Sequence, residues 1–288
     1  MSGLQFCSMD PETNVIAQHL HKVNLHAIGF AHERKALELE YIQKLRDCVE
    51  ELCGTKCASE TVFMEGTSGK IKQMQKLHLE RVNDEPVFHK LLDMVLPKMA
   101  YMMDVDASEL QVVNMQLFNK HPDISKPTRH HQDNAYLRLL RGDKAIAAWI
   151  PLDDVDPTNG CLHYIPYSHK MPTIRHERYN SATTFRLRSG VAGLSLCTRA
   201  FRESDDVAVE ATAGDVLYHL GTTVHRANAN TSAQPRRVIG ILAIVSSHCK
   251  KDPILEEEAK VRLQEDIDLQ QFNDFELYKK LIANPPTL

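Results

Sequence analysis

Two side chains that can bind a metal stand two positions apart within residues 129–136. His131 supplies an imidazole and Asp133 a carboxylate, and Gln132 separates them. Alternate residues of a β-strand point to the same face of a sheet. If this stretch is extended, both side chains reach one metal ion and Gln132 points to the opposite face. A His-x-Asp pair is a weak signal by itself in a chain with 15 histidines, so a third ligand is needed.

The third predicted ligand is His225, which follows a short apolar stretch. A Gly214-Asp215 turn precedes that stretch, and the pattern predicts a strand followed by a loop that returns His225 to the metal. Two imidazoles and one carboxylate on one face of an octahedral ion leave three positions for other ligands. That arrangement is typical of non-haem Fe(II) oxygenases.

Downstream of His225, Arg236 opens an apolar strand at residues 238–245. A buried arginine is unfavourable unless an anion compensates its charge, and its planar fork matches a carboxylate. In 2-oxoglutarate oxygenases the keto-acid end of the cosubstrate binds iron, and its distal carboxylate needs such an arginine. Arg236 is therefore the predicted contact of that carboxylate.

Five segments flank or contain these residues. They are Asn-Met-Gln-Leu-Phe-Asn-Lys-His-Pro at 114–122, Trp-Ile-Pro-Leu-Asp-Asp at 149–154, Asn-Gly-Cys-Leu at 159–162, Ile-Pro-Tyr-Ser-His-Lys at 165–170, and the stretch 225–237. In order and spacing, the segments resemble the phytanoyl-CoA dioxygenase family of Fe(II)/2-oxoglutarate oxygenases. The resemblance extends over residues 25–250.

The resemblance implies an enzyme with Fe(II), 2-oxoglutarate and O₂ as cofactor and cosubstrates. Such an enzyme oxidises a substrate C–H bond, usually to a hydroxyl, and releases succinate and CO₂. Lys120 stands where family members often contact 2-oxoglutarate. The predicted cosubstrate-binding residues are Arg236, Lys120, Asn114 and Gln116, and the predicted substrate contacts are Asn134, Tyr136, Arg186 and Arg188.

Two positions depart from the family pattern. His130 precedes the His-Gln-Asp stretch where many members carry tryptophan or another bulky residue. Ala227 stands where many carry a hydroxyl, which removes one expected hydrogen bond to the distal carboxylate of 2-oxoglutarate. The Ala227 change leaves the predicted iron ligands unaffected.

A basic segment at residues 170–205 is the predicted lid of the site. It contains one lysine and six arginines, with Glu177 as the only acid among residues 170–202: Lys170, Arg175, Arg178, Arg186, Arg188, Arg199 and Arg202. A long insertion beside a site often carries substrate contacts. We therefore expect a small or medium polar substrate with an anionic group, because the lid would attract it.

Three alternatives remain open from the sequence. The chain could be an acyl-CoA hydroxylase of the phytanoyl-CoA type. The same triad could hold Zn²⁺ in a hydrolase, although Arg236 and Lys120 would then have no partner. The chain could also be a jelly-roll binding module without turnover. Formation of succinate would separate these classes.

The elements that must position the site are many short strands with helices before them. Helical spacing predicts a helix at residues 36–52 and another from Pro86, which Pro97 would break or kink. Residues 53–80 suggest loops. Strands are predicted at 110–118, 145–152, 161–166, 207–211, 215–220 and 238–245. This pattern favours a double-stranded β-helix, a cupin-like jelly roll with the metal at one end.

The predicted organisation is a single domain over residues 1–288. It comprises a lead-in or short helix at 1–24, a helical part at 25–103, the jelly-roll core at 104–250 with the lid, and a C-terminal helix at 252–284. That last helix is predicted from Asp252 as N-cap, Pro253 at the first helical position and lysines near its end.

The composition is that of an ordinary globular protein. Hydrophobic residues make up 43% and charged residues 25%, and no apolar run is long enough to span a membrane. The formal net charge of −4 argues against a general nucleic-acid binder. The seven cysteines contain no zinc-finger spacing, so reduced thiols are expected. We expect a cytoplasmic enzyme acting on a small molecule, with no nucleic-acid or membrane partner.

Overall fold

The chain folds into antiparallel sheets with helices packed on one side, as seen in a computed structural model. The structure describes residues 11–54, 62–65, 70–78, 85–122, 125–137, 144–178, 185–187 and 196–246. The predicted C-terminal helix at 252–284 lies outside these ranges. Within them, the helices are all too short or too polar to cross a membrane.

Four α-helices and fourteen strands make up the described part. The helices are α1 (Pro11–Ile28), α2 (Leu39–Gly54), α3 (Pro86–Met103) and α4 (Asp133–Leu137). The strands are β1 (Phe30–Glu33), β2 (Val62–Glu65), β3 (Ile71–Met74), β4 (Leu110–Lys120), β5 (Thr128–His131), β6 (Ala145–Pro151), β7 (Leu162–Tyr164), β8 (Glu177–Arg178), β9 (Phe185–Leu187), β10 (Leu196–Cys197), β11 (Val207–Val209), β12 (Val216–Leu220), β13 (His225–Ala227) and β14 (Arg236–Val245).

The strands form one large sheet, one small sheet and a two-stranded ribbon. The major sheet has the order β1-β12-β6-β14-β4-β3-β2-β9, the minor sheet the order β11-β7-β13-β5, and β8 pairs with β10. The pairings between neighbouring strands are antiparallel. The two sheets are those of the predicted jelly roll, and the site lies between them.

The two faces of the major sheet pack against different parts of the molecule. Strand β6 is buried along its whole length. Its Ile146, Ala148 and Ile150 point to the outer face and pack with the helices in the main hydrophobic cluster. Each fully buried isoleucine stabilises the fold by about 1.5–3 kcal/mol. Because strand residues alternate, Ala147 and Trp149 point to the inner face, where they line the cavity between the sheets.

Helices α2 and α3 cover the outer face of the major sheet. Tyr41, Leu45 and Val49 recur at helical spacing along α2 and are buried, as predicted from the sequence. Helix α3 begins at Pro86 and continues through Pro97 to Met103. Of the break or kink expected at Pro97, the break does not occur, because a buried stripe on both sides of the proline holds the helix against the sheet.

Two further expectations differ from the structure. Residues 53–80 were expected to be loops, but β2 and β3 lie within them and extend the major sheet beyond β4. These short strands have a mixed polar pattern, so their pairing depends on the neighbouring β4 rather than on their own sequence. The lead-in or short helix expected at residues 1–24 differs in extent, because α1 runs over 18 residues from Pro11 to Ile28 and places Leu25 in the core.

Candidate metal centre

Two of the three predicted metal ligands lie at the ends of neighbouring strands of the minor sheet, and the third opens the helix that follows one of these strands. His131 is the last residue of β5, and His225, the first residue of β13, is its partner in the sheet register. The two imidazole rings have centroids 4.2 Å apart. Asp133 opens α4 and brings its carboxylate to the same place.

The prediction that His131 and Asp133 share one strand is wrong. The strand ends at His131, and the Asn134 N–H donates to Gly221 O, which turns the chain into α4. The approach is close, since a Cβ at Gly221 would lie 2.0 Å from Asn134 Oδ1. Gln132 does point away from the metal site. Its amide bonds to backbone groups of Pro172, Ile174 and Thr222 and thereby anchors the turn.

The ligand atoms converge closely enough for one ion. His131 Nε2 lies 3.8 Å and His225 Nε2 4.0 Å from Asp133 Oδ1. One ligand atom from each residue lies within 4.8 Å of the others. Within the described ranges no other group of histidine, cysteine or acidic side chains meets this condition.

Backbone carbonyls fix the tautomer of both histidines. His131 Nδ1–H donates to Arg129 O at 2.8 Å, and His225 Nδ1–H donates to Thr223 O at 3.0 Å. A carbonyl oxygen only accepts, so the proton of each neutral ring lies on Nδ1. The Nε2 lone pairs therefore point towards Asp133, which is the arrangement usual for metal-binding histidines.

Burial and charge keep these groups in the forms that bind a cation. Burial lowers the pKa of His131 and places the pKa of His225 well below its ordinary value, so both rings are neutral near pH 7. Burial opposes ionisation of Asp133, but the His219 hydrogen bond and the nearby imidazoles outweigh it and hold its pKa below the usual range. Two neutral nitrogen donors and one carboxylate fit a divalent iron ion.

A cavity of about 110 Å³ extends from these ligands along the inner face of the major sheet. Arg236 lies at this cavity and is 2% exposed. Its Nε and Nη1 have no hydrogen-bond partner among the described residues, and its guanidinium lies 5.6 Å from the Trp149 ring centroid. Burial lowers the pKa of Arg236 to about 10, so it stays charged at neutral pH. A buried cation with unpaired nitrogens fits an anionic ligand such as a carboxylate.

Gly160 makes room for this arginine. Its φ of +97° lies in the left-handed region, and a Cβ there would lie 2.7 Å from Asn228 O and 3.4 Å from Arg236 Nη2. The Asn-Gly pair singled out in the sequence thus forms a turn that allows backbone and guanidinium to approach closely.

Lys120 faces the cavity beside Arg236, its partner in the sheet register. Its ammonium donates to three backbone carbonyls, those of Lys126, Ala227 and Asn228. An ammonium has three N–H donors. The geometry therefore gives Lys120 a role in joining β4 to β13 and the loop after it, in addition to its positive charge at the cavity.

Asn114 and Gln116 belong to a row of side-chain amides on the same inner face. Asn114 Nδ2 and Gln73 Nε2 both donate to Gln116 Oε1, and the Lys76 N–H donates to Asn114 Oδ1. These bonds fix the orientation of the Gln116 amide, which lines the cavity. Among the described contacts only its oxygen is engaged, so its N–H groups can donate to a ligand.

The predicted substrate contacts lie in different places. Asn134 is buried in α4 and does not line the cavity. Tyr136 packs edge-on against the His131 ring at 5.4 Å, and its hydroxyl bonds to both backbone groups of Leu196, which ties β10 to the ligand turn. Arg188 lies outside the described residues, and of Arg186 only the backbone pairing with Met64 is described.

The basic lid residues whose side chains are described point to solvent. Lys170, Arg175, Arg199 and Arg202 are exposed, none of these four lines the cavity, and Arg199 pairs with Glu177. The described positive charge at the cavity comes instead from the sheets, through Lys72, Lys120 and Arg236, because the Arg226 guanidinium pairs with Asp206 on the other side of its strand.

Two functional residues were not assigned a role from the sequence. His219 of β12 donates to Asp133, and Lys72 of β3 stands at the cavity. His219 lies two residues after the inward-facing Leu217 and shares its face, so the strand period did indicate where it points. Lys72 gave no such signal, because β3 was not recognised as a strand.

A family model described as phytanoyl-CoA dioxygenase matches residues 25–238. A phytanoyl-CoA dioxygenase domain-containing protein 1 homolog of Caenorhabditis briggsae is 28% identical over 177 residues, 58% of this chain and 61% of that protein. The phytanoyl-CoA dioxygenase of Arabidopsis thaliana is 28% identical over 193 residues, 64% of each chain. The match thus spans less than two thirds of the length of these curated relatives.

Solved structures share the fold at lower identity. EvdO2 from Micromonospora carbonacea var. aurantiaca, complexed with 2-oxoglutarate, superposes with a TM-score of 0.63 at 21% identity, covering 83% of this chain and 91% of that one. EctD from S. alaskensis with 2-oxoglutarate and 5-hydroxyectoine gives a TM-score of 0.63 at 16% identity, covering 88% and 82%. At these identities the likeness establishes the fold of this chain.

Proposed function

Because the chain belongs to the phytanoyl-CoA dioxygenase family, as the match over residues 25–238 shows, we propose that it is an Fe(II)/2-oxoglutarate-dependent dioxygenase. One observation carries the proposal. A His-Asp-His cluster with both Nε2 lone pairs turned inward shares a cavity with a buried arginine, Arg236, two of whose three nitrogens lack a hydrogen-bond partner among the described residues. The first feature supports an iron site and the second an anionic cosubstrate.

His131, Asp133 and His225 would hold the iron, and Arg236 would hold the distal carboxylate of 2-oxoglutarate. When bound, the metal and cosubstrate supply the oxidising chemistry, in which O₂ is consumed, 2-oxoglutarate loses CO₂ to become succinate, and a substrate C–H bond is oxidised.

The residues around the site orient these groups and limit access of water. Arg129 O and Thr223 O keep the imidazole protons on Nδ1, away from the ligand positions. The apolar side chains of Trp149, Leu162 and Leu242 line the cavity. A cavity wall of this kind excludes water from the reacting groups and strengthens the charge interaction at Arg236.

A zinc hydrolase with the same triad is a weaker alternative. It would need the metal and a water, but it gives the buried charge of Arg236 no function. Burial of an unpaired guanidinium is costly, so its presence favours a reaction with an anionic cosubstrate.

For the substrate we propose a small or medium polar metabolite with an anionic group, which the enzyme hydroxylates. Three basic side chains, those of Lys72, Lys120 and Arg236, contribute to the cavity, against one acidic side chain, Asp133. The row of amides at Gln73, Asn114 and Gln116 adds hydrogen-bonding groups for a polar molecule. An acyl-CoA thioester, as the names of the curated relatives suggest, is the second candidate, and its phosphates would suit the same charges.

The test of the reaction is succinate release from 2-oxoglutarate under air, with and without Fe(II), across a panel of metabolites. We expect Fe(II)-dependent release that is coupled to a product 16 Da heavier than its substrate, as follows from insertion of one oxygen atom. His131→Ala, Asp133→Ala and His225→Ala should each abolish it, whereas His19→Ala, at an exposed histidine of α1, should not. Full turnover by any folded triad variant would exclude this metal centre.

The test of the substrate class is the dependence of KM on charge. Lys72→Gln should raise KM for an anionic substrate, because it removes a positive charge that lines the cavity. Arg175→Gln, at an exposed position away from the cavity, is the matched control. If KM responds neither to Lys72→Gln nor to added salt, the substrate is not recognised through charge.

A further inference from the structure

The Asp133 carboxylate is held at one of its oxygens by a buried histidine. His219 Nε2 lies 3.2 Å from Asp133 Oδ2, and the His219 side chain is 3% exposed. Within the part of the chain that the structure describes, no other group donates a hydrogen bond to this carboxylate. Since Asp133 opens a short helix rather than lying in a strand, no sheet ladder orients it.

Hydrogen-bond chemistry locates the proton of His219. A carboxylate only accepts, so His219 Nε2 carries the hydrogen that points to Asp133. His219 Nδ1 then has the lone pair, and the Tyr164 hydroxyl, 3.0 Å away, donates to it. Tyr164, His219 and Asp133 thus form a directed series of two hydrogen bonds that ends at the metal ligand.

The series divides the two oxygens of Asp133 between different functions. Oδ2 accepts from His219, whereas Oδ1 is the oxygen nearest to the Nε2 atoms of His131 and His225. A carboxylate restrained in this way presents one oxygen to a metal rather than two. One-oxygen binding keeps open the positions that a cosubstrate and O₂ need.

The donors are themselves held rigidly. His219 lies on β12 of the major sheet, and Tyr164 lies on β7 of the minor sheet, so the series bridges the two sheets. The Phe30 ring stacks on Tyr164 with centroids 4.4 Å apart and an interplanar angle of 8°. His219 also packs against His225, with ring centroids 4.4 Å apart.

We propose that His219, oriented by Tyr164, is a positioning residue that occupies Oδ2 of Asp133 and thereby directs Oδ1 alone to the metal. The inference rests on the proposed function, because it requires a metal ion at the triad. It adds a determinant of metal affinity and coordination number that lies outside the three ligands.

Binding of Co(II), measured without turnover, tests the inference. The protein is stripped with a chelator and titrated with Co(II), and the visible absorption gives both the Kd and the coordination geometry. His219→Leu should weaken binding about 10- to 100-fold, the usual effect of losing a group that orients a metal ligand. It should also change the Co(II) spectrum, as the freed carboxylate binds through both oxygens.

Two variants separate positioning from other roles. His219→Gln keeps an N–H donor near the position of Nε2 and should retain most of the affinity and the wild-type spectrum. Tyr164→Phe removes one hydroxyl without disturbing the fold and should weaken binding by less than His219→Leu. An unchanged Kd and spectrum in His219→Leu would overturn the proposal, and so would a His219→Gln variant as defective as His219→Leu, since the imidazole itself would then be a ligand.

His225→Leu is the control for the metal centre. If it binds Co(II) as the wild type does, or if the wild type does not bind, the triad itself is wrong and both proposals fail. If the wild type binds, His225→Leu does not, and His219→Leu is normal, only the positioning role fails.

Discussion

Arg236 and Arg237 are neighbours in sequence with opposite surroundings. Arg237 donates to both oxygens of Asp153 and to Glu50, and the hydrogen bonds to Asp153 raise its pKa. Arg236, on the other face of β14, is buried with two nitrogens that lack partners among the described residues. The strand period that places Arg236 at the cavity turns Arg237 away from it.

For this residue we expect Arg236→Met to weaken 2-oxoglutarate binding and to stabilise the protein without ligand. Loss of a charge-assisted contact is worth about 2 to 4 kcal/mol, or roughly 30-fold to several hundred-fold in affinity. Removal of an unpaired buried cation should raise Tm. Calorimetry with 2-oxoglutarate and a thermal melt measure both effects.

Arg237→Met is the matched control and should behave in the opposite way. It should lower Tm, because Asp153 keeps only the longer ion pair with Arg46, and leave the affinity for 2-oxoglutarate close to that of the wild type. Equal losses of affinity in the two variants would contradict the assignment of the carboxylate contact to Arg236.

At the scale of elements, one carboxylate joins three strands of the minor sheet. Asp206 follows the lid segment and is buried with a side-chain exposure of 3%. It accepts hydrogen bonds from His130 of β5, His163 of β7 and Arg226 of β13. Burial opposes its ionisation, but these donors hold the pKa of Asp206 below its usual range.

This network lies behind the metal centre. His130 directly precedes the ligand His131, and Arg226 directly follows the ligand His225. The family position usually occupied by a bulky residue thus carries an imidazole that bonds to Asp206 and packs near the Phe201 ring. Asp206 therefore fixes the separation of the two ligand strands from the side opposite the cavity.

We expect Asp206→Asn to destabilise the protein by about 3 to 5 kcal/mol, because it leaves Arg226 buried with its charge uncompensated. Urea unfolding, followed by tryptophan fluorescence and by circular dichroism, gives the change in the free energy of unfolding. Glu203→Gln is the control, since Glu203 is 80% exposed and lies 3.7 Å from the same arginine, and exposed pairs contribute at most about 1 kcal/mol. A loss no larger than that of Glu203→Gln would rule out Asp206 as the joining residue.

At the scale of the whole molecule, two neutral histidines connect separate regions of the chain. His176 Nε2 accepts from the Gln132 N–H and its Nδ1–H donates to Ile174 O, which ties the lid to the ligand turn. His169 Nε2 donates to His26 O, which ties the turn just before the lid to α1. Burial lowers the pKa of both histidines to about 4.

These pKa values predict a loss of stability in mild acid. Between about pH 6.5 and 4 the unfolded chain binds protons that the folded histidines do not, so the free energy of unfolding falls as pH falls through this window. Below about pH 4 both states are protonated and these histidines add no further change. At pH 5 each histidine should cost about 1 to 2 kcal/mol.

The measurement is the urea midpoint between pH 7.5 and 4.5 in the presence of a chelator, so that metal binding does not contribute. A His169→Gln/His176→Gln double variant should lose less stability over this range than the wild type, because its carboxamides do not titrate. His19→Gln, at an exposed histidine, should follow the wild type. Parallel curves for wild type and double variant would assign the acid sensitivity to other groups.

The sequence alone determined the features that depend on short-range pattern. Short apolar runs separated by turn residues predicted six strands of the two sheets. Residue types and spacing selected His131, Asp133 and His225, and the order of the surrounding segments indicated the family. The fold and the family could be recognised in this way because strand period and the order of motifs are local properties of the chain, and the assignment of the three ligands stays a prediction.

Tertiary structure decided whatever depends on hydrogen bonds between distant segments. The strand containing His131 ends before Asp133 because Gly221, far along the chain, accepts the Asn134 N–H. Lys120 is engaged by carbonyls of the β13 region, and His219 reaches Asp133 from another sheet. Strands β2 and β3 exist because β4 offers an edge to pair with. Such partners are hundreds of ångströms apart along an extended chain, and only the packed sheets bring them together.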